Sequence, residues 1–347
     1  MEPFAYRRAT SAASAVHMAG SAGTPAAAHE RRLNVADSAA QFIAGGTNLT
    51  DYMTLNVVTP TTLVDINHLP LESYAQIESS STRLRLGALV RMGQAEDHAA
   101  IRTRYPLIRD TLVLAASRQI RNMATLGGNI LQRTRCEYFR ETSWPCNKRV
   151  PGSGCAALQG INRQHAVLGT SEHCIATYAG DFAQALIALD ARVHTLGGPA
   201  GGRQIAFADL HRPPGLTPHI ETILAPGELI TFIEVPAGPW TARSRYVKVR
   251  DRQSYQFAVT SAAVALHLEG ATVREARIAL GGVATVPWRA RESEELLRGK
   301  VLDETLAMKA ADAAYADAQA RAQNAFKIPV GKQTLVRALL EAQAMQV

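Results

Sequence analysis

All four cysteines of this 347-residue chain lie in one short window, at Cys136, Cys146, Cys155 and Cys174. Their spacing is C-x9-C-x8-C-x18-C, in a stretch rich in proline, glycine and arginine with little hydrophobic periodicity. Thiolates bind soft metal ions and iron–sulfur clusters. Cysteines confined in this way indicate a shared chemical task, because cysteines that only fill a core would be scattered along the chain.

Four interpretations of the cysteines remain open from their spacing. Buried free thiols are disfavoured by the polar Gly/Pro surroundings, and two disulfides would require an oxidising compartment. A structural zinc site usually shows close C-x2-4-C pairs, which are absent here. A 4Fe–4S cubane also needs four thiolates, and it tolerates the more open spacing of an insertion loop.

The charge of the same segment favours the cubane. An oxidised cubane with four thiolates has a net charge of about −2, so nearby cations would stabilise it. Residues 118–149 contain only two acidic side chains, Glu137 and Glu141. They contain seven basic ones, which are Arg118, Arg121, Arg133, Arg135, Arg140, Lys148 and Arg149. A solvated basic face would have the same composition.

Two glycine turns are the second chemical signal. Gly45-Gly46 lies in AGGTNL at 44–49, between a predicted strand and a predicted helix, and TLGGN occupies 125–129. Successive backbone N–H groups at the start of a helix can bind phosphate. The Thr125 hydroxyl, the glycine amides and the Asn129 side chain offer further groups to a pyrophosphate or ribitol. Each turn alone is weak evidence, since a double glycine after a strand is usually just a tight turn.

Composition limits the class of protein. The net charge of +7 and the pI of about 9.4 suggest an acidic partner, such as nucleic acid, a phosphate-bearing cofactor or an acidic protein surface. Nucleic acid is disfavoured, because aromatic content is 6% and no basic run alternates with aromatic residues. No run approaches the roughly 18 apolar residues of a membrane span. No apolar core of the required length follows Arg7-Arg8, so the N-terminal segment is not a signal peptide by itself.

Hydrophobic patterns predict alternating strands and helices up to about residue 236, and then strands followed by helices, which is typical of a separate α+β domain. Residues 19–38 are predicted to be a mobile surface excursion, and Asp181 is predicted to N-cap a helix. The predicted strands span 4–6, 41–44, 62–66, 83–90, 192–196, 229–235, 245–250, 258–268 and 273–281. The predicted helices span 11–18, 51–56, 92–101, 107–116, 181–190, 290–299, 303–325 and 332–345.

Taken together, AGGTNL at 44–49 and RNMATLGGNI at 121–130 resemble the FAD-binding subunit of the xanthine dehydrogenase or molybdenum hydroxylase family. The resemblance covers nearly the whole chain, including YVKVR at 246–250. It implies an α+β fold with a two-part FAD-binding domain of the PCMH (vanillyl-alcohol oxidase-like) type at 1–236. A smaller α+β C-terminal domain, like that of the CO dehydrogenase flavoprotein, would occupy 240–347.

The cysteine segment makes the resemblance more specific. Most such subunits lack a cysteine loop, and four cysteines directly after the second motif are similar to the FAD and 4Fe–4S subunit of bacterial periplasmic aldehyde oxidoreductases. The resemblance implies a 4Fe–4S insertion at about 133–176, held by Cys136, Cys146, Cys155 and Cys174. A 4-hydroxybenzoyl-CoA reductase or xanthine dehydrogenase-type enzyme has a corresponding subunit, and both remain alternatives.

The resemblance also implies the FAD contacts. It places the pyrophosphate on 44–49, the ribityl and diphosphate region along the second turn, and an acidic residue and a lysine close to the cofactor. The implied contacts are Gln41, Phe42, Ile43, Ala44, Gly45, Gly46, Thr47, Asn48, Leu49, Ala116, Thr125, Gly128, Asn129, Leu131, Asp181, Leu229, Ile230 and Lys248.

The function implied by the resemblance is electron transfer without catalytic residues of its own. Hydroxylation would occur at a molybdenum cofactor on a large subunit. Electrons would pass through 2Fe–2S centres of a small subunit to FAD here, and then to an external acceptor. The expected location is the periplasm, by co-export on a partner's signal, or otherwise the cytoplasm. A rival of another class is a zinc-stapled scaffold that binds nucleotide.

Overall fold

The computed structural model describes residues 1–21 and 38–347. Its strands are β1 Ala5–Arg8, β2 Ala40–Ile43, β3 Thr62–Asp65, β4 Ile77–Ser79, β5 Arg83–Gly87, β6 Arg192–Leu196, β7 Gln204–Ala206, β8 Leu229–Pro236, β9 Ser244–Val249, β10 Thr260–Glu269, β11 Thr272–Gly281 and β12 Trp288–Arg289. Its helices are α1 Ala12–Ser21, α2 Leu49–Thr54, α3 Leu71–Tyr74, α4 Met92–Asp97, α5 Ala99–Arg104, α6 Pro106–Val113, α7 Arg118–Met123, α8 Leu126–Ile130, α9 Glu137–Arg140, α10 Phe182–Ala188, α11 Phe207–Leu210, α12 Arg291–Leu297, α13 Glu304–Ala314 and α14 Lys327–Gln343.

The strands form three sheets, and the first two belong to the N-terminal part of the chain. A parallel sheet has the order β1-β3-β2, with α1 packed against it. An antiparallel sheet has the order β4-β5-β8-β6-β7. In β5 the buried Leu84 and Leu86 alternate with Arg83 and Arg85, as the period-two pattern predicts. The glycine turn after β2 therefore comes from the first sheet, and Leu229 and Ile230 come from the second.

The third sheet, β12-β11-β10-β9, is antiparallel and belongs to the C-terminal part. The apolar run of β10 is buried on both faces. Ala263 and Ala265 pack toward the large core shared with α6 and α10, whereas Val264 and Leu266 pack toward the core formed with α13 and α14. Because β10 joins two cores, the last sheet is fixed against the N-terminal part. The predicted boundary at 236–239 begins at the last residue of β8 and continues into the irregular link before β9, and it stays a prediction.

Three predicted helices differ most from the structure. The helix predicted at 303–325 ends at Ala314, because the following backbone bonds elsewhere: the Gln319 N–H donates to the Val167 carbonyl at 2.7 Å. The last helix starts at Lys327 instead of 332. The helix predicted at 92–101 is two helices, α4 and α5, separated by the extended backbone of His98.

The N-terminal prediction is wrong in one respect. Residues 19–21 continue α1 and are not part of a surface excursion. The rest of the predicted excursion, apart from residue 38, lies outside the described residues. Among the described residues, no helix is long and apolar enough to cross a membrane.

Candidate functional site

A cavity of about 440 Å³ lies between the three sheets, and it collects residues that are far apart in the sequence. The first glycine turn, the second glycine turn and the start of β8 all contribute to its wall. All eighteen predicted FAD contacts lie in this wall: Gln41, Phe42, Ile43, Ala44, Gly45, Gly46, Thr47, Asn48, Leu49, Ala116, Thr125, Gly128, Asn129, Leu131, Asp181, Leu229, Ile230 and Lys248. Which of them touch a ligand stays a prediction.

The first turn presents its backbone to the cavity. A Cβ atom at Gly45 would lie 2.0 Å from the Met123 carbonyl oxygen, so only glycine fits between the two segments. Gly46 has a φ of +73°, a conformation that glycine adopts without strain. Within the described part of the chain, the N–H groups of residues 45–48 donate to no protein acceptor. Several free N–H groups in succession form a pocket for an anion such as a pyrophosphate.

The second turn differs from the prediction, because its glycine amides are already bonded. The Gly127 N–H donates to the Ala88 carbonyl at 2.9 Å, and the Gly128 N–H donates to the Thr125 hydroxyl at 3.2 Å. Thr125 is thus the N-cap of α8. The Asn129 Oδ1 atom is buried without a hydrogen-bond partner among the described residues, so it is available to a ligand.

Asp181 occupies the N-cap position of α10, but its side chain does not cap the helix. Its carboxylate accepts hydrogen bonds from the Tyr246 hydroxyl at 2.6 Å and from the Lys248 ammonium at 2.7 Å. Lys248 also donates to the Leu114 carbonyl at 2.9 Å. The N-cap position predicted for Asp181 is confirmed, but its carboxylate does not bond the helix N–H groups, because two donors from β9 bond it instead. The pair stands in the cavity wall as a rigid, internally neutral unit.

The cysteine segment lies directly behind one wall of the cavity. It is irregular apart from α9 and one turn of 3-10 helix at Ala156–Leu158. Tyr52 lines the cavity and meets the ring of Phe139 edge-on at 6.1 Å. These two rings share a hydrophobic cluster with Cys136 and Cys146. One layer of side chains thus separates the cavity from the cysteines.

The four cysteines come together, and all four are free thiols. Cys146 and Cys155 face each other across an isolated antiparallel bridge. Cys136 and Cys174 each interact electrostatically with Cys146. No disulfide bond joins any two of these four cysteines, so the structure disagrees with the two-disulfide interpretation. Among the described residues, no group of three or more His, Cys, Asp or Glu side chains is placed to hold a metal ion.

Burial and backbone hydrogen bonds define the surroundings of the cysteine sulfurs. Burial raises the pKa of Cys136 to about 12 and that of Cys174 to about 11, so these thiols are not reactive thiolates by themselves. Backbone N–H groups nevertheless point at three sulfurs, including that of Ala176 toward Cys174 at 3.4 Å. Such donors stabilise the sulfur charge of a bound iron–sulfur cluster. Four cysteines with N–H donors at their sulfurs are the donor set that a 4Fe–4S cubane requires.

His165 lies beside the sulfur of one of the four cysteines. Its Nε2 atom lies 3.2 Å from the sulfur of Cys136. Burial, helped by the charge of Lys327, lowers the pKa of His165 to about 4, so the ring is neutral. A neutral ring can donate one N–H to sulfur.

The basic residues of the segment play a different part from the one predicted. Arg118 and Arg121 pair with Glu96, and Arg135 and Arg140 pair with Asp51. These ion pairs offset part of the positive charge of the segment, because acidic residues from distant segments fold against the arginines.

Arg149 instead holds the loop. It donates to the backbone carbonyls of Tyr138, Phe139, Thr142 and Trp144, and so ties together the chain between the first two cysteines.

Lys148 remains beside the sulfurs. Its ammonium acts electrostatically on Cys174 and donates to the Pro218 carbonyl at 3.1 Å, with the carboxylate of Glu221 at 3.7 Å. Arg133 bonds the same carboxylate at 2.7 Å. Both cations also line the cavity. Lys148 and Arg133 share the single carboxylate of Glu221, so part of their positive charge is left at the cavity wall.

Several wall residues were missed by sequence reasoning. They come from segments without a motif, and only packing brings them to the cavity, so no sequence signal identifies them. They include Tyr52, Tyr178, His211, Glu221, Tyr255 and Phe257.

Comparison with known proteins identifies the family. The family described as "FAD binding domain in molybdopterin dehydrogenase" matches residues 4–238, and "CO dehydrogenase flavoprotein C-terminal domain" matches 245–342. The chain is a medium subunit of the molybdenum hydroxylase family. It therefore contains an FAD-binding domain and is a subunit of an oxidoreductase. The resemblance and the fold class predicted from the sequence are confirmed.

Two relatives indicate how specific the likeness of this medium subunit is. It is 47% identical over 306 residues to the aldehyde oxidoreductase FAD-binding subunit PaoB of Escherichia coli, covering 88% of this chain and 92% of that one. It is 27% identical to the glyceraldehyde dehydrogenase medium chain of Sulfolobus acidocaldarius, covering 76% of this chain and 75% of that one.

Solved structures share the fold. A carbon monoxide dehydrogenase chain from Hydrogenophaga pseudoflava has a TM-score of 0.73 and 25% identity, covering 99% of this chain and 98% of that one. The medium subunit thus has the complete two-part architecture of that chain.

Proposed function

We propose that this medium subunit is an electron-transfer subunit with FAD and one 4Fe–4S cluster, in a molybdenum-dependent aldehyde oxidoreductase. The observation that carries the proposal is the cluster of four free cysteines one side-chain layer behind the cavity. The similarity to PaoB over 88% of the chain supports the aldehyde oxidoreductase assignment.

The described residues fit FAD in the cavity. The free N–H groups of residues 45–48 would hold the pyrophosphate, and the buried Asn129 Oδ1 atom would accept from a ribityl hydroxyl. The isoalloxazine supplies the two-electron chemistry when FAD is bound. The protein's own contribution is to bind and orient FAD, while Lys248 and Asp181 keep a neutral ion pair at its edge.

The cubane would be held by Cys136, Cys146, Cys155 and Cys174. The purified protein should show flavin absorbance at about 450 nm on top of a broad iron–sulfur shoulder. Reduction with dithionite should decrease both absorbances. The variant Cys146→Ser should lose the broad absorbance and the acid-labile sulfide. Ser143→Ala, an exposed change in the same loop, should keep them. Unchanged iron in the Cys146 variant would remove the cubane from the proposal.

We infer the partners from the family. A small subunit with 2Fe–2S centres would deliver electrons to FAD, a large subunit would contain the molybdenum cofactor, and an external acceptor would take the electrons onward. Co-purification of three subunits, with aldehyde-dependent bleaching of the flavin only when all three are present, tests this arrangement. Flavin reduction by aldehyde in the isolated subunit would contradict it.

The substrate and the compartment need separate tests. A screen of aldehydes, aromatic acyl-CoA thioesters and purines on the complex distinguishes an aldehyde oxidoreductase from a hydroxybenzoyl-CoA reductase or xanthine dehydrogenase type. A colourless protein with stoichiometric zinc would instead support the zinc-stapled scaffold. We propose a periplasmic location by co-export on a partner's signal, and recovery of the complex only in the cytoplasmic fraction would contradict that location.

A further inference from the structure

The link between β9 and β10 covers part of the cavity. We call residues 251–257 the flap. Its tip lines the cavity through Tyr255, Gln256 and Phe257. Tyr255 is 55% exposed and Phe257 is 44% exposed, so the core does not hold these rings in place. Tyr255 also has a φ of +53°, a conformation that costs a non-glycine residue energy and needs support from its surroundings.

One attachment holds the base of the flap. Asp251 accepts hydrogen bonds from both terminal nitrogens of Arg163, at 2.9 and 3.0 Å, and from the Gln164 side-chain amide at 3.2 Å. Arg163 and Gln164 belong to the cysteine segment and directly precede His165, which contacts Cys136. The base of the flap is therefore hydrogen-bonded to two side chains of the segment that contains the cysteines.

A second attachment holds the tip. The guanidinium of Arg135 lies 5.2 Å from the ring centre of Phe257, a cation–π contact. Arg135 directly precedes Cys136, and its own position is fixed by Asp51 at 2.9 Å. The cysteine segment thus holds the flap at two points, on either side of Tyr255.

We propose that the ion pair of Arg163 with Asp251 and the contact of Arg135 with Phe257 latch the flap over the FAD cavity, so that the cysteine segment controls entry of the external electron acceptor. The proposal rests on the proposed function in that the cavity holds FAD. An exposed ion pair is only weakly stabilising. A latch of this strength opens readily, as an acceptor port must.

The experiment uses charge reversal in the purified complex. Arg163→Glu and Asp251→Arg each place like charges together, and the double variant restores an opposite pair. Two rates are measured: release of FAD on dilution, followed by its fluorescence, and re-oxidation of dithionite-reduced flavin by benzoquinone. In the second reaction two electrons and two protons pass from the reduced flavin to the quinone, which becomes hydroquinone.

Each single variant should raise both rates severalfold, and the double variant should return them toward the wild-type values. Phe257→Leu should also raise them, because it removes the ring that Arg135 contacts. The control is Arg83→Glu, which breaks an exposed ion pair with Glu234 of the same 2.9 Å length on another sheet and should leave both rates unchanged.

Unchanged rates in both single variants would overturn the latch. If the iron content of Arg163→Glu falls, Asp251→Asn tests the latch from the flap side, and wild-type rates in that variant would overturn it equally. Failure of the proposed function is distinguishable from these results, because the wild-type complex would then contain no flavin in this subunit.

Discussion

The ammonium of Lys248 lies 2.7 Å from the carboxylate of Asp181, and the two side chains are only 1% and 5% exposed. Tyr246, two residues earlier on β9, donates its hydroxyl to the same carboxylate. Burial and the charge of Asp181 together raise the pKa of Tyr246 well above its ordinary value, so the hydroxyl stays protonated. If one charge of the Lys248–Asp181 pair were removed, the other would stay buried without a counter-charge.

Breaking the pair should therefore be costly. We expect Lys248→Met to lower the free energy of unfolding by about 3 kcal/mol, because the Asp181 carboxylate loses its counter-charge in a buried site. Urea denaturation of the full chain measures this. The double variant Lys248→Met with Asp181→Leu should recover part of the loss. A double variant less stable than Lys248→Met alone would argue against the buried-charge explanation.

Because Gly45 packs closely against Met123, we expect a side chain at position 45 to weaken FAD binding. In Gly45→Ala the new methyl group would meet the Met123 carbonyl at 2.0 Å, so one of the two segments must move and the free N–H groups lose their arrangement. We expect the variant to purify with little flavin. Gly20→Ala is the control, since a Cβ there meets no atom of the described residues within 4 Å. Equal flavin-to-protein absorbance ratios in both variants would refute the prediction.

The loop between the first two cysteines depends on one side chain, that of Arg149. It donates to four backbone carbonyls, and its contacts to Tyr138 and Phe139 are 2.9 and 2.7 Å long. We expect Arg149→Lys to lower the iron content, because an ammonium is compact and cannot span four acceptors. Arg298→Ala, at an exposed position of another region, should keep full iron. Iron analysis after purification decides between these outcomes.

The buried Lys327 should make the free energy of unfolding depend on pH. Burial, and to a smaller extent Arg163, lowers its pKa to about 7, although Asp251 opposes the shift. Between about pH 7 and 10 the unfolded chain holds a proton that the folded chain has released, so the free energy of unfolding rises with pH. We expect Lys327→Met to show a smaller rise. Denaturation curves at pH 7, 8 and 9 measure both slopes, and parallel slopes would contradict the assignment.

Some of the fold could be read from local patterns. Strands such as β5 and β10 were predicted because their apolar spacing or apolar runs are local properties. The end of α13 could not be predicted, because the alanine-rich pattern continues beyond Ala314 while distant acceptors take over the backbone bonds. The role of Asp181 was missed for the same reason, since its donors are about 65 residues away.

The sequence by itself determined the family, the two glycine motifs and the set of four cysteines, because each is a local combination of residue types. Tertiary structure alone decided which groups meet. It bonded the amides of Gly127 and Gly128 internally and left those of residues 45–48 without an acceptor among the described residues. It also paired several arginines with carboxylates from distant segments and set the cysteines behind the cavity wall. Hydrogen bonds and ion pairs between distant segments depend on packing, and packing is not encoded in any one stretch of the chain.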